Sequence, residues 1–87
     1  MPLSSENLDG DVANKIESAF TELHKLDVVH GDVKAANILV AADTSVWIID
    51  FEDAQIVSGR MAKVLIEAED QEVKRLLGKI QRGEQYC

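Results

Sequence analysis

Two stretches of the chain carry apolar residues at the spacing of an amphipathic helix. In the first stretch the apolar positions recur at i, i+4, i+7, i+8 and i+11: Val12, Ile16, Ala19, Phe20 and Leu23. This pattern predicts a helix from residue 11 to about Lys25, with Asp9 or Asp11 as its N-cap. A second helix is predicted from about Ala62, with an apolar stripe at i, i+3, i+4 and i+7: Val73, Leu76, Leu77 and Ile80. Because each helix has one apolar face, we expect the two to pack against each other.

Short apolar runs between the two helices predict strands. Residues 38–40 and 46–49 are two such runs, and the polar residues 42–45 between them supply the connection of a β-hairpin. Val28–Val29 is a further short β segment, directly before His30. A lone histidine next to a valine pair is more often a packed core residue than a catalyst. The pattern therefore predicts a mixed α+β fold.

The first ten residues differ from the rest of the chain because they are mostly polar and contain the only proline. They are interpreted as a loose leader over residues 1–10, followed by a single domain over residues 11–87. A chain of 87 residues forms one small domain of marginal stability. Its composition, 46% hydrophobic and 29% charged, is typical of a globular rather than a disordered protein.

The chain is acidic, with a formal net charge of −7 and a pI of about 4.6. This charge disfavours nucleic acids and anionic membranes as partners, because binding to their phosphates depends on Lys and Arg. No apolar run approaches the length of a membrane span, and residues 1–10 do not resemble a secretory signal. The only cysteine, Cys87, allows no intramolecular disulfide, which favours a reducing compartment. The sequence therefore predicts a cytoplasmic protein with no nucleic-acid or membrane partner.

Polar side chains flank the predicted hairpin at its open end, before its first strand and after its second. Asp32 and Asn37 come before the first strand, and Asp50 comes directly after the second. Pairing of the strands would bring two carboxylates and an amide oxygen together, and these hard oxygen ligands suit Mg²⁺. Lys34 adds a cation suited to a phosphate. Taken singly, Asp32 is more commonly a turn residue, and Lys34 an exposed loop lysine.

The order of these polar residues is similar to a known motif. The chain reads His30-x-Asp32-x-Lys34-x-x-Asn37 and, thirteen residues after the asparagine, Asp50-Phe51. This order resembles the catalytic loop and the metal-binding segment of the protein-kinase-like superfamily. The resemblance implies a partial kinase-like C-lobe made of an amphipathic helix, a short strand, the catalytic loop, a β-hairpin and a C-terminal helix. In that superfamily the histidine mainly packs, so His30 is expected beside Phe51.

The resemblance also implies a role for each polar side chain. Asp32 would be the catalytic base that accepts or orients the proton of an attacking hydroxyl group. Lys34 would contact the γ-phosphate of ATP, and Asn37 and Asp50 would hold Mg²⁺. The implied activity is ATP-dependent phosphotransfer, with the Ser/Thr protein kinases as the nearest type. The acceptor would be a hydroxyl-bearing protein or small molecule.

The chain departs from the common kinase pattern at two positions. Gly31 stands where protein kinases usually have the arginine that binds a phosphorylated activation loop, so regulation by such a phosphate is not expected. Glu52 replaces the glycine that usually follows Asp-Phe, and adds a carboxylate beside the metal site. Both changes are similar to small-molecule kinases, such as choline and aminoglycoside kinases, and to atypical or fungal kinase-like proteins. Lys34 instead resembles the Ser/Thr protein kinases.

Parts of a complete kinase have no counterpart in this sequence. The five glycines form no phosphate-covering loop, and no strand lysine with a glutamate partner precedes the catalytic loop. We therefore expect a truncated, kinase-like fragment that is inactive alone, with a possible partner at the surface of the missing lobe. Two alternatives remain open at this point. The chain could be a non-catalytic kinase-like binding module, or an unrelated small acidic α+β domain.

Overall fold

The computed structural model describes residues 1–83 and contains two helices and four short strands. In chain order the elements are α1 (Gly10–Lys25), β1 (Val28–Val29), a 3₁₀ turn (Ala35–Asn37), β2 (Ile38–Val40), β3 (Val46–Ile48), β4 (Gln55–Ile56) and α2 (Gly59–Gln81). The predicted mixed α+β fold class is confirmed, and the arrangement is consistent with a partial kinase-like domain. Cys87, on which the expected redox compartment rests, lies outside the described residues.

Helix α1 begins at a side-chain cap, as its sequence predicts. The Asp9 carboxylate accepts a hydrogen bond of 2.8 Å from the backbone N–H of Val12, which satisfies one of the free donors of the first turn. The predicted apolar face is buried, and the residues that it buries recur every four positions: Val12, Ile16, Phe20 and His24. The last of these is polar. The helix ends at Lys25, and the Leu26 side chain that follows is exposed.

Helix α2 is longer than the sequence indicates, since it begins at Gly59 rather than near Ala62. Its second half buries the predicted stripe against α1, the hairpin and residue 3, and the buried core comprises Leu3, Val12, Ile16, Phe20, Ala35, Ile38, Val40, Val73, Leu76, Leu77 and Ile80. Its first half leaves Met61 and Val64 exposed. Within residues 1–83, neither helix has the length and apolar character needed to cross a membrane.

Strands β2 and β3 form the predicted antiparallel hairpin, with Ile38 opposite Ile48 and Val40 opposite Val46. The turn places Thr44 in the left-handed region, at φ +67°. Two hydrogen bonds from the Lys15 ammonium group support this conformation, because they reach the Thr44 carbonyl oxygen at 3.1 Å and its hydroxyl at 2.6 Å. The hairpin is therefore anchored to α1 at its turn as well as through its buried side chains.

The first three residues are not a loose leader, in contrast to the expectation for this segment. The Leu3 backbone N–H donates to the Ile38 carbonyl at 2.8 Å, and the Val40 N–H donates to the Met1 carbonyl at 2.7 Å. Leu3 is also among the most deeply buried side chains of the core. Residues 1–3 therefore lie antiparallel to β2, and burial of one leucine together with these backbone hydrogen bonds outweighs the polar character of the segment.

A second, two-stranded sheet joins β1 to β4, with Val28 opposite Ile56 and Val29 opposite Gln55 in antiparallel register. The sequence did not predict β4. The pairing continues past the strands, because the Val57 backbone N–H donates to the Asp27 carbonyl at 2.8 Å. As a consequence, the segment after Asp50 returns to the side of the loop that begins at His30.

Candidate functional site

The loop over residues 30–37 brings three of the predicted site residues into contact. The side-chain amide of Asn37 donates to the backbone carbonyl of Asp32 at 2.9 Å and to its Oδ2 atom at 3.1 Å. The Lys34 ammonium nitrogen lies 3.5 Å from the same Oδ2 atom. The 3₁₀ turn Ala35–Asn37 makes this possible, because it folds the chain back so that Asn37 faces Asp32. The Asp32 carboxylate is thus oriented by an amide and a cation while remaining accessible.

Asn37 also has an atom available for a ligand. Both of its side-chain hydrogen bonds use the amide nitrogen, and within residues 1–83 its Oδ1 atom accepts no hydrogen bond. An amide oxygen is a suitable ligand for a hard cation. The Asn37 carbonyl accepts a hydrogen bond of 2.9 Å from the backbone N–H of Ile49, the residue before Asp50. The donor chemistry and this backbone link therefore fit a shared Mg²⁺ site of Asn37 and Asp50.

Asp50 itself has an unusual backbone conformation. It lies in the left-handed region at φ +61°, which non-glycine residues adopt at some energetic cost. Its side chain is exposed, and it makes no hydrogen bond or ion pair with the described residues 1–83. Within residues 1–83, no three or more His, Cys, Asp or Glu side chains are grouped so that they could hold a metal ion. A cation at this site would therefore be held by few carboxylates, with Asp50 as an exposed ligand.

His30 connects the loop to the segment that carries Asp50. Its Nε2 atom lies 2.8 Å from the Ile49 carbonyl, and its Nδ1 atom accepts from the Asp32 N–H at 3.2 Å, which together require the proton on Nε2. The ring is fully buried and meets Phe51 edge-on, with 4.9 Å between ring centroids. The predicted packing of His30 beside Phe51 is confirmed.

Gly31 allows a close approach between the two parts of the site. Its φ of +89° is in the region that favours glycine, and a Cβ atom at this position would overlap the backbone carbonyl oxygen of Asp53. An arginine, or any other residue with a side chain, would not fit at this position, because its Cβ atom would push the loop away from residues 50–53.

Two residues that hold this loop were missed by sequence reasoning. The Glu69 carboxylate of α2 and the His24 ring of α1 are both buried, and Glu69 contacts the backbone of His30 and Gly31. The apolar stripes of the two helices could have indicated both residues. Glu69 precedes Val73 by four positions on the apolar stripe of α2, just as His24 follows Phe20 by four on that of α1. A polar residue on an apolar stripe indicates a buried polar contact.

Comparisons with known proteins agree with this geometry. The chain is a member of the protein-kinase-like superfamily, of which it represents a fragment. Within that superfamily it belongs to the lipopolysaccharide kinase (Kdo/WaaP) family, whose model matches residues 4–82. The alternative of an unrelated α+β domain is therefore wrong.

The curated relatives are kinases of several kinds. The chain is 38% identical over 55 residues to mitogen-activated protein kinase kinase 10 of Arabidopsis thaliana, covering 63% of this chain and 18% of the relative. It is 34% identical over 50 residues to a 3-deoxy-D-manno-octulosonic acid kinase of Vibrio vulnificus, covering 58% and 21%. A probable serine/threonine-protein kinase of Dictyostelium discoideum is 31% identical over 64 residues, covering 74% and 4%. The chain thus spans about a fifth, or less, of the length of these relatives.

Proposed function

We propose that this chain is the catalytic-loop part of an ATP-dependent phosphotransferase that acts on a hydroxyl group. The observation that carries the proposal is the convergence of Asn37 and Lys34 on the Asp32 carboxylate, at 3.1 Å and 3.5 Å, in a member of a kinase family. The partial C-lobe over residues 11–87 remains part of this proposal. The Ser/Thr type is also part of this proposal. It rests on the resemblance of Lys34 to the Ser/Thr protein kinases, and it favours a protein over a small molecule as the acceptor.

Asp32 acts on the acceptor in this proposal. Its carboxylate accepts or orients the proton of the attacking hydroxyl group, and the Asn37 amide holds it in place for that step. Lys34 is partly exposed and adjacent to Asp32, so its ammonium group can contact the γ-phosphate while the acceptor approaches. Positioning and charge neutralisation supply most of the rate in this class of reaction.

Asn37 and Asp50 bind the metal ion in the same proposal. The Oδ1 atom of Asn37 and the exposed carboxylate of Asp50 are the ligands, and the backbone hydrogen bond between Ile49 and Asn37 links the two segments that carry them. Bound there, Mg²⁺ would supply neutralisation of charge on the ATP phosphates. Glu52 and Asp53 follow directly and are exposed, so they add negative charge that favours a cation.

Isothermal titration of the 87-residue chain with Mg²⁺–ATP tests this proposal. The informative variant is Asp50→Asn, because asparagine removes the charge yet tolerates the left-handed backbone. The matched control is Asp43→Asn, which makes the same change at an exposed carboxylate in the turn of the hairpin, at the opposite end of β3 from Asp50. We expect the affinity to fall at least about tenfold in Asp50→Asn and to remain unchanged in the control. Equal binding by both variants, or no binding by the unaltered chain, would contradict the proposal.

A non-catalytic binding module is the second candidate, and one observation favours it. Trp47 is 62% exposed on β3, and Phe51 is 45% exposed beside the metal segment. Large exposed aromatic side chains are typical of interaction surfaces. In that case the chain binds no Mg²⁺–ATP, and Trp47→Ser weakens partner binding while Asp50→Asn has no effect. Pull-down from a cell extract with the two variants side by side compares these outcomes.

A further inference from the structure

The outer edge of β3 carries backbone groups that have no partner. Ser45 and Ile49, which flank the strand, hydrogen-bond to the residues that flank β2, at 2.8 Å and 2.9 Å. Because the backbone groups of an antiparallel strand point alternately to its two sides, those of Val46 and Ile48 point away from β2. No other residue of the described range 1–83 bonds to them. Strand β3 therefore offers two N–H donors and two carbonyl acceptors along one open edge.

The opposite edge of this sheet is closed. Met1 and Leu3 face β2, since their backbone groups bond to it, and Pro2 between them faces outward. Proline has no N–H to donate, and the Pro2 carbonyl already accepts a hydrogen bond of 2.9 Å from the side-chain amide of Asn7. Among residues 1–83, only the β3 edge of this sheet can therefore accept a further strand.

A second copy of the chain matches the β3 edge in one antiparallel register, with Trp47 on a two-fold axis. Val46 of each copy then lies opposite Ile48 of the other, and the open groups pair in four hydrogen bonds. An axis at Val46 would instead place Ile48 opposite Thr44, whose backbone N–H and carbonyl are already bonded. An axis at Ile48 would place Val46 opposite Asp50, whose left-handed backbone lies beyond the end of the strand. Only the register centred on Trp47 pairs every open group.

The same register brings two exposed tryptophans together. Trp47 is 62% exposed, on the opposite face of β3 from Val46 and Ile48, which pack against the core. At the axis the two Trp47 residues form a pair without hydrogen bonds between them, the pairing in which cross-strand side chains approach most closely. Burial of two aromatic side chains that water now surrounds supplies a hydrophobic driving force for association.

The charges around the edge are complementary in this register. Asp50 of one copy lies opposite Thr44 of the other, because both positions are three residues from the axis. The Lys15 ammonium group lies 2.6 Å from the Thr44 hydroxyl and pairs with Asp11 at 3.1 Å. Asp50 is exposed and has no partner among residues 1–83. Each copy therefore presents a carboxylate to a cation of the other, which partly offsets the repulsion between two chains of net charge −7.

We infer that the chain forms a two-fold symmetric homodimer through the β3 edge, with Trp47 at its centre. The hairpins and residues 1–3 of both copies then form one continuous antiparallel sheet. Because Pro2 closes both outer edges of that sheet, the assembly ends at two copies. The inference goes beyond the proposed function and does not rest on it, since it uses only backbone pairing, the Trp47 contact and the contact between Asp50 and Lys15.

Sedimentation equilibrium of the 87-residue chain, without metal and between about 10 µM and 1 mM, tests the dimer. Trp47→Lys places like charges on the axis and removes the aromatic contact, so we expect its dissociation constant to rise at least about thirtyfold. The matched control is Met61→Lys, which makes the same charge change at a 59% exposed residue of α2 and should alter the constant less than about threefold. A chain that stays monomeric to about 1 mM, particles larger than dimers, or equal constants for the two variants would overturn the inference.

Cysteine crosslinking tests the register even if the lysine variant does not fold. In a Cys87→Ser background, which removes the only native cysteine, Trp47→Cys places two thiols on the axis. The Cα atoms of such a pair are about 4.5 Å apart, within the range of a disulfide. With oxidised glutathione we expect covalent dimers of Trp47→Cys to form at least about tenfold faster than those of Gln55→Cys, an exposed strand position in the other sheet. Equal rates would overturn the register.

The Asp50→Asn variant tests the contact with Lys15. Its matched control is Glu67→Gln, which removes the same charge at an exposed position of α2 and so relieves the overall repulsion equally. We expect the dissociation constant of Asp50→Asn to be about two- to fivefold above that of Glu67→Gln. Equal constants, or tighter association of Asp50→Asn, would overturn the charge contact and with it this alignment of the two copies.

Discussion

The two halves of the candidate site are built in opposite ways. In the loop over residues 30–37 the polar groups are engaged within the protein, since His30, Asp32 and Asn37 each make hydrogen bonds of 2.8–3.2 Å. In residues 50–53 the side chains are exposed, and Asp50 has no partner within residues 1–83. The first half is held in one arrangement by the fold. The second half offers free carboxylates on a backbone that is strained.

Under the proposed function, this difference corresponds to two separate requirements of a phosphotransfer site. A catalytic base must be fixed relative to the acceptor, and hydrogen bonds from buried amides provide that. A metal ligand must remain available for the ion, and an internal partner would compete with the ion for its oxygen atoms. The fold therefore concentrates its hydrogen bonds around Asp32 and leaves Asp50 without them.

The largest expected effect comes from separating the two halves at Gly31. In Gly31→Ala the new Cβ atom meets the Asp53 carbonyl and the backbone remains at φ +89°, so we expect the free energy of unfolding to fall by about 2–3 kcal/mol. Gly10→Ala is the matched control, because no atom lies within 4 Å of a Cβ there, and it should raise stability slightly. Urea denaturation measures both. A Gly31→Ala chain as stable as Gly10→Ala would show that the close approach is unimportant.

Substitution of Asp50 is expected to change the free energy of unfolding by less, and to raise it rather than lower it. Glycine relieves the left-handed conformation of this residue but adds flexibility to the unfolded chain, so Asp50→Gly should raise the free energy of unfolding by about 0.5 kcal/mol. The same variant should lose Mg²⁺ binding. Thermal denaturation without metal, followed by titration with Mg²⁺, measures the two changes on one sample. Lower stability of Asp50→Gly would mean that the carboxylate has an internal partner and that the contrast between the halves is wrong.

The smallest effect compares Asp50 with Asp43, an exposed carboxylate that does have a partner. The Asp43 carboxylate accepts hydrogen bonds from Ser45, chiefly from its side chain and then from its backbone N–H, and these lower the pKa of Asp43 from the ordinary value of 3.8. A lowered pKa in the folded state gives stability that is present above 3.8 and is lost as the pH falls through the folded-state value.

The Asp43→Asn variant isolates this contribution, because the substitution removes the negative charge while the amide oxygen of asparagine can still accept the hydrogen bonds. The unaltered chain should be slightly more stable than the variant at about pH 6, and the difference should vanish by about pH 2. Urea midpoints across this range measure the difference. A difference that grows as the solution becomes more acidic would contradict the assignment.

Periodicity was sufficient to predict the main elements of the fold. Helix α1, the hairpin and the second half of α2 each carry several residues on one face, so burial of that face follows from the pattern. Strand β4 and residues 1–3 were missed because two or three residues are too few to show alternation. Their pairing depends on partners distant in sequence, β1 and β2, which a local pattern does not contain.

The residues of the candidate site were predicted from the sequence, but the buried residue that contacts the backbone of their loop was not. The sequence predicted that Asp32, Asn37 and Asp50 converge at the open end of the hairpin. The structure brings Asn37 and Lys34 to the Asp32 carboxylate, whereas Asp50 is linked to Asn37 only through the backbone hydrogen bond of Ile49. Glu69 was missed because it is distant in sequence and because a glutamate on a helix is normally solvated. Its role follows only from the packing of α2 beneath the loop, which brings a carboxylate to two backbone amides.

The pairing of residues 1–3 with β2 has a consequence for the solution behaviour of the protein. An unpaired strand edge is a template for other chains, and a two-stranded hairpin has two such edges. The hydrogen bonds of Met1 and Leu3 cover the β2 edge, and among residues 1–83 the β3 edge, with Trp47, has no strand paired to it. Detachment of these three residues would expose a row of backbone donors and acceptors beside the buried Ile38, and so turn the hairpin into a nucleus for intermolecular β-sheet aggregation.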